Sequence, residues 1–407
     1  MKKLLLLGAL CSAVTVVSTE AAALGGSTYT YLRCFYRVSD TPKTPATSYH
    51  WGLDPTTGGW YHVKGNWWKD GPTSWMNMFY TNTSQATLKS VCASTLTKKG
   101  IKSQVAAFTG ADNSLSLNYT IYTNDSTTQT GKINKIITVG DSLSDNQNLY
   151  NATQWKVPNP KSWFVGRFSN HKVWEEYMAE SLGLPMYNWA VAGAAADSYY
   201  VIPGVNQQVD SVLIYLKDAP NYKWANSLFT VLIGGNDLVN YDRTPESIIA
   251  KEQEGIEKLI VAGAKNILML NVPELSKAPV FAMRPAEDAV KVKANVADLN
   301  ARLVVLRDAM QAKYGTSLNI KLFDTMSVMN DMLANPASYG ITNTTQSCLD
   351  INEIASTTYA YQQGLRANCT DPNTFVFWDT LHPTTNTHRI IAEKVTAFVR
   401  ANFTAVP

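Results

Sequence analysis

The chain has 407 residues, of which 45% are hydrophobic and only 16% charged, where an average globular chain carries about 25% charged residues. Its 35 basic and 32 acidic side chains nearly cancel, to a net +3. These figures exclude an intrinsically disordered chain, which needs low hydrophobicity and high net charge, and argue against a nucleic-acid partner held by phosphate neutralisation.

The chain begins with Lys2-Lys3, followed by an uncharged apolar stretch from Leu4 to Val17 and then by Ala21-Ala22-Ala23. A basic start, a short apolar run and small residues form the pattern of a secretory signal peptide. The run is too short to span a bilayer comfortably, so a membrane anchor is the weaker reading. A lipoprotein centred on Cys11 is weaker still, because Leu10 precedes it where a small residue is needed. Cleavage near Ala23 and export are expected. Four cysteines then remain, Cys34, Cys92, Cys348 and Cys369. An even number in an exported chain suggests two disulfides with three possible connectivities. Proximity favours Cys34–Cys92 and Cys348–Cys369. No CxxC, HExxH or Cys/His cluster is present, so no metal or other cofactor is expected.

Residues 24–132 are dense in Tyr, Trp, Gly, Thr and Asn. Residues 28–36 have the aromatic content and partial alternation of a strand. Trp51, Trp60, Tyr61, Trp67, Trp68, Trp75, Phe79 and Tyr80 follow, broken by Gly-Gly, Gly-Asn and Gly-Pro turns. Leu88, Val91, Cys92 and Leu96 share one helix face, with Ser84 as N-cap and Lys98-Lys99-Gly100 as the stop. The expectation is a small, mainly β domain with one helix. Its rings either fill a small core, pack on the rest of the chain, or stay exposed and meet a lipid surface.

Residues 133–407 read as α/β. Short apolar strands are expected at 133–139, 229–233, 267–270 and 375–378. Helices are expected at 170–182, 245–263, 286–313 and 389–398. In the first of these Val173, Trp174, Tyr177 and Met178 point inward. Strands alternating with helices predict a parallel sheet covered on both faces. Ligand sites in such sheets lie at the carboxyl ends of the strands.

Four blocks fall there. Gly140-Asp141-Ser142-Leu143-Ser144-Asp145 follows the first strand, and Gly193 ends Asn188-Trp189-Ala190-Val191-Ala192-Gly193. Gly234-Gly235-Asn236-Asp237 follows the second strand, and Asp379-Thr380-Leu381-His382 follows the last. A serine hydroxyl needs a base to accept its proton, and His382 suits that task. Asp379, three residues earlier, can fix the imidazole tautomer. Ser142 N–H, Gly193 N–H and the Asn236 amide can face an oxyanion, where losing one donor costs about 3–4 kcal/mol. The G-x-S-x-G elbow of α/β-hydrolases is absent around Ser142.

These blocks resemble those of the GDSL, or SGNH, hydrolases, named for Ser, Gly, Asn and His in this order. The resemblance spans residues 136–400 and implies a three-layer, flavodoxin-like domain. It assigns Ser142, Gly193, Asn236 and His382 to the family roles and Asp379 to the triad acid. Gly166-Arg167-Phe168-Ser169-Asn170 is also family-like, although His171 stands where many members carry Gly; no catalytic role is expected for it. A wider resemblance, over nearly the whole chain after residue 23, is to bacterial secreted phospholipases of the thermolabile, lecithin-dependent haemolysin kind. Glycerophospholipid–cholesterol acyltransferases share the second part. The resemblance implies cleavage of phospholipid and lysophospholipid acyl esters at a membrane surface, haemolysis and acyl transfer. The alternatives are a carbohydrate or short-chain esterase of the same fold, and a membrane-binding lysin whose catalysis is incidental. His388 is expected at the surface, and His50 and His62 as ordinary polar residues. The 348–369 loop is expected to be pinned by its disulfide on the way to Asp379.

Overall fold

The computed structural model describes residues 28–39, 44–69, 77–111, 118–123, 132–218 and 224–403. The leader-like segment and Trp75 lie outside the described residues. Six strands form the N-terminal part: β1 Thr28–Arg37, β2 Thr47–Trp51, β3 His62–Lys69, β4 Asn77–Thr81, β5 Val105–Ala111 and β6 Asn118–Thr123. The sheet order is β2-β1-β3-β4-β6-β5, and β5 pairs back onto β1. The pairings therefore close a ring. Thr30, Leu32 and Cys34 alternate along β1 and are buried, as the period of two requires for one inward face. The helix Gln85–Lys98 lies against this part, and Ser84 Oγ accepts from Thr87 N at 3.0 Å as its cap. Cys92, on the helix's buried face, is joined to Cys34. Leu32, Val63, Phe79, Leu88, Val91 and Ile121 complete this small core.

The second part is a parallel five-stranded sheet. Its strands are β7 Lys135–Gly140, β8 Met186–Asn188, β9 Ser227–Leu232, β10 Asn266–Leu270 and β11 Asn319–Phe323, in the order β11-β10-β9-β7-β8. Helices Val205–Asp218, Pro245–Val261 and Ala286–Tyr314 cover one face. Helices Trp174–Leu182 and Thr385–Asn402 cover the other. The expected mainly β domain followed by a three-layer α/β domain is what the chain forms. A parallel pair, β12 Asn343–Ser347 and β13 Phe375–Phe377, stands apart from the main sheet.

Two expected helix starts shift by four residues. Helix 174–182 starts four residues later than read, because Asn170 is used to bond Thr385 N at 2.8 Å. Tyr177 on it is only half-buried, its hydroxyl 2.6 Å from Thr385 Oγ1. The last helix starts four residues earlier than read, at Thr385, where Thr384 caps it by accepting from Thr387 N.

The aromatic residues divide. Phe79 is in the small core and Trp67 packs on it, ring centres 5.0 Å apart. Trp68 and Tyr122 belong instead to the core of the second part. Trp68 lies 5.0 Å from Tyr215 and 6.3 Å from Trp189. The Tyr122 ring lies 4.4 Å from Tyr187, and its hydroxyl donates to Asn188 O at 3.0 Å. Tyr29, Tyr49 and Trp60 are exposed. Arg33 is buried beneath Tyr49, Trp51 and Trp155, its guanidinium 4.1 Å from the Trp155 ring centre. Among the described residues no helix is long and apolar enough to cross a membrane.

Trp68→Ala should lower stability by about 3–5 kcal/mol, the usual cost of deleting a buried ring. A urea titration reads this as a fall in midpoint. An unchanged midpoint would show that the contact between the two parts contributes nothing.

Candidate active site

Ser142 sits two residues beyond the end of β7, and His382 follows β13 from the far end of the chain. Ser142 Oγ and His382 Nε2 are 2.8 Å apart. His382 Nδ1 lies 2.9 Å from both carboxylate oxygens of Asp379. An ionised carboxylate only accepts, so Nδ1 carries the proton and Nε2 is left to accept from the serine. Asp379 Oδ1 also accepts from Leu381 N at 2.9 Å and His382 N at 2.8 Å. These bonds turn one short loop into a holder for both side chains. Trp163 Nε1 donates to Asp379 Oδ2 at 2.9 Å. Phe168 and Tyr359 wall the imidazole, with ring centres 4.9 and 5.7 Å away.

Gly193 lies on the loop after β8 with φ +85°, which only glycine adopts at little cost. A Cβ there would also press on Ile202 Cδ1 at 3.0 Å. Asn236 is the second residue of the short helix Gly235–Val239, which the left-handed Gly234 caps. Its Nδ2 donates to Ala194 O at 2.9 Å, and its Oδ1 accepts from Asn240 Nδ2 at 2.8 Å. Nδ2 carries a second hydrogen beyond that bond. The loops of Ser142, Gly193 and Asn236 are thus tied together, and the Ser142 loop meets the Asp379–His382 loop. This arrangement can transfer a proton from serine to imidazole and present N–H donors to a developing oxyanion.

Several residues that hold these loops have no role assigned from the sequence. Asp145 accepts from Gln147 N at 2.8 Å, Asn148 N at 2.6 Å and Leu149 N at 3.1 Å, and across the site from Ala192 N at 2.8 Å. Its place three residues after Ser142, before a helical turn, was the available signal. Gln208 pairs with both backbone groups of Gly140, each bond 2.8 Å. It lies in the first turn of helix Val205–Asp218, and no local pattern marks it. Trp163, Trp378, Cys348 and Cys369 form one buried cluster. The Cys348–Cys369 bond therefore lies beneath the loop that carries Asp379, in the pairing that proximity favoured.

Buried carboxyl groups surround the serine. Burial raises Asp141 to about 7 and Asp145 to about 6. Glu175 is fully buried and is pushed well up for the same reason. His388 corrects the sequence reading: it is 1% exposed, not a surface residue. It shares the inward face of helix 385–402 with Ile391 and Val395, three and seven residues on. Burial lowers it to about 3, so it is neutral. His171 stacks on Phe164 at 4.3 Å, and burial likewise lowers it to about 3. Among the described residues no group of three His, Cys, Asp or Glu side chains is placed to hold a metal ion.

Trp163→Phe keeps an aromatic, though smaller, ring and removes one donor to a buried carboxylate, worth about 1.5–3 kcal/mol. Turnover of a p-nitrophenyl ester should fall at least about tenfold, with KM unchanged. Wild-type turnover would exclude Trp163 from holding Asp379.

Residues 136–395 match the family described as GDSL-like lipase/acylhydrolase, and residues 10–124 match the Vibrio dual lipase/transferase N-terminal domain. The thermolabile hemolysin of Vibrio parahaemolyticus is 43% identical over 94% of this chain and 90% of that protein. The phosphatidylcholine-sterol acyltransferase of Aeromonas hydrophila is 23% identical over 66% of this chain and 91% of that protein. Among solved structures, a family two carbohydrate esterase from Clostridium thermocellum covers 93% of this chain and 91% of its own, at 11% identity and a TM-score of 0.40. With most of its length matched by one family and a close full-length relative beside it, the chain belongs to the GDSL-like lipase/acylhydrolase family.

Proposed function

We propose that the chain is an exported phospholipase A and lysophospholipase that cleaves fatty acyl esters of glycerophospholipids through an acyl-serine. The observation that carries this reading is the 2.8 Å contact between Ser142 Oγ and His382 Nε2, with Asp379 behind the imidazole. Ser142 attacks the acyl carbonyl as His382 takes its proton. The carbonyl oxygen becomes an oxyanion facing Ser142 N–H, Gly193 N–H and the Asn236 amide. The imidazolium, stabilised by Asp379, returns the proton to the departing lysolipid alcohol. Water, activated by His382, then clears the acyl group. An acceptor alcohol clears it by the same route, which makes acyl transfer the companion activity. No metal or cofactor enters these steps.

The choice of substrate rests on the relatives. One is named a hemolysin and one a phosphatidylcholine-sterol acyltransferase. The division of the chain proposed here is a signal peptide at 1–23, the aromatic β domain at 24–132 and the hydrolase domain at 133–407. Two disulfides fit an oxidising compartment outside the cytoplasm, and we assign export with cleavage near Ala23. The exposed rings of Tyr29, Tyr49 and Trp60 suit contact with a lipid surface.

Ser142→Ala and His382→Ala should each abolish release of fatty acid from a mixed-acyl phosphatidylcholine while leaving the far-UV spectrum and melting temperature intact. Mass spectrometry of the products, with and without cholesterol, reads hydrolysis and transfer together. Retained turnover by Ser142→Ala would sink the mechanism, and haemolysis by that variant would favour a lysin. Asp379→Asn should cost about 10³–10⁴-fold in kcat through the wrong imidazole tautomer. A preference for acetyl over long-chain p-nitrophenyl esters would move the substrate towards carbohydrate acetates.

A further inference from the structure

Three peptide groups around Gly193 are held by different parts of the fold. Upstream, Ala192 N is bonded to Asp145. Downstream, Ala194 N donates to Val191 O at 3.0 Å and Ala194 O accepts from Asn236. Between them Gly193 is soft at φ, which together with ψ of Ala192 sets where its own N–H points. Its carbonyl is taken by Tyr241, whose hydroxyl donates to Gly193 O at 2.7 Å. Burial raises the Tyr241 phenol, so it stays protonated and keeps donating.

Tyr241 is itself well located. Its backbone N–H donates to Asn236 O at 3.1 Å, so it hangs from the residue that closes the other side of the site. Its ring stacks face to face on Tyr199, centres 3.8 Å apart and planes 18° apart. Tyr199 and Ile202 pair across a tight turn, and Ile202 is the side chain that would meet a Cβ on Gly193. Arg243 donates to Asp197 O and Ser198 O, both at 3.0 Å, and so ties the start of that turn to the Tyr241 loop.

We propose that Tyr241 is a positioning residue for the oxyanion site: by holding the Gly193 carbonyl it fixes the glycine so that the neighbouring N–H faces the tetrahedral oxygen. The stack on Tyr199 sets the direction of the hydroxyl. The proposal rests on the reading of Gly193 as an oxyanion donor. It predicts that loss of the hydroxyl weakens the transition state and not the ground state, because the ester carbonyl gains its charge only on attack.

Tyr241→Phe keeps the ring and its stack and removes only the donor. On a soluble p-nitrophenyl butyrate, kcat should fall about tenfold with KM within twofold. Rates are normalised to Ser142 counted by a fluorophosphonate label, so misfolded protein does not enter the comparison. An alkyl boronic acid, which forms a tetrahedral adduct on serine, should lose affinity by the same factor as kcat/KM. A merely structural role would lower the labelled fraction or the melting temperature and leave the boronate affinity of the labelled-competent fraction unchanged. A fall in kcat below threefold, or an unmoved boronate affinity, overturns the proposal. Ser142→Ala assayed alongside separates the two failures. If it is inactive and Tyr241→Phe is normal, only the role of Tyr241 falls. If it is active, the whole reading of the site falls.

Discussion

One hydrogen bond joins residues 240 positions apart, between Ser142 Oγ and His382 Nε2. Neither side chain is held by its own loop alone. The serine loop is fixed from below by Gln208 on Gly140 and from the side by Asp145. The histidine loop is fixed by three backbone-to-Asp379 and indole-to-Asp379 bonds. A misplacement of about 1 Å in either loop is enough to weaken proton transfer by orders of magnitude. The dense polar network around the site is the physical answer to that tolerance, and it is why so many of its members are buried side chains rather than surface ones.

The N-terminal ring contributes to the same constraint from the outside. In the five-stranded sheet β8 is an edge strand of only three residues. An edge presents unpaired backbone groups and is easily displaced. Here Tyr122 from β6 donates to Asn188 O and accepts from Asn188 N, and Tyr187 donates back to Thr123 O. The chain leaves that edge directly towards Gly193. The small aromatic part therefore braces the strand from which the Gly193 loop departs.

Much of this was legible in the sequence, and the limits are specific. The four blocks could be read because each couples a reactive residue type to a strand end. The helix at 85–98 could be read because its cap, apolar face and stop agree with one another. The order of the strands could not be read, because nothing local says that β8 lies outside β7. Trp67 and Trp68 are chemically alike and adjacent, yet one packs on Phe79 within the small core and the other crosses into the larger one. Alternation along a strand predicts that they part, but not which core each meets. His388 was misplaced for a different reason. It stands one residue before the expected helix 389–398, so no face was assigned to it, whereas the helix from Thr385 puts it on the face of Ile391. Tyr241 carries no signal at all in the sequence, since its use depends on where Gly193 lies in space.

The seam between the two parts has a consequence for how the chain can be divided. Tyr187, Trp189 and Tyr215 are fully buried, and Trp68, Tyr80 and Tyr122 of the N-terminal part pack against them. A fragment cut after the last N-terminal strand would present those three rings to water as one apolar scar beside the β8 edge. Such a surface invites self-association. The N-terminal ring is thus not an exchangeable attachment to a self-sufficient enzyme. In this chain it covers part of the larger core.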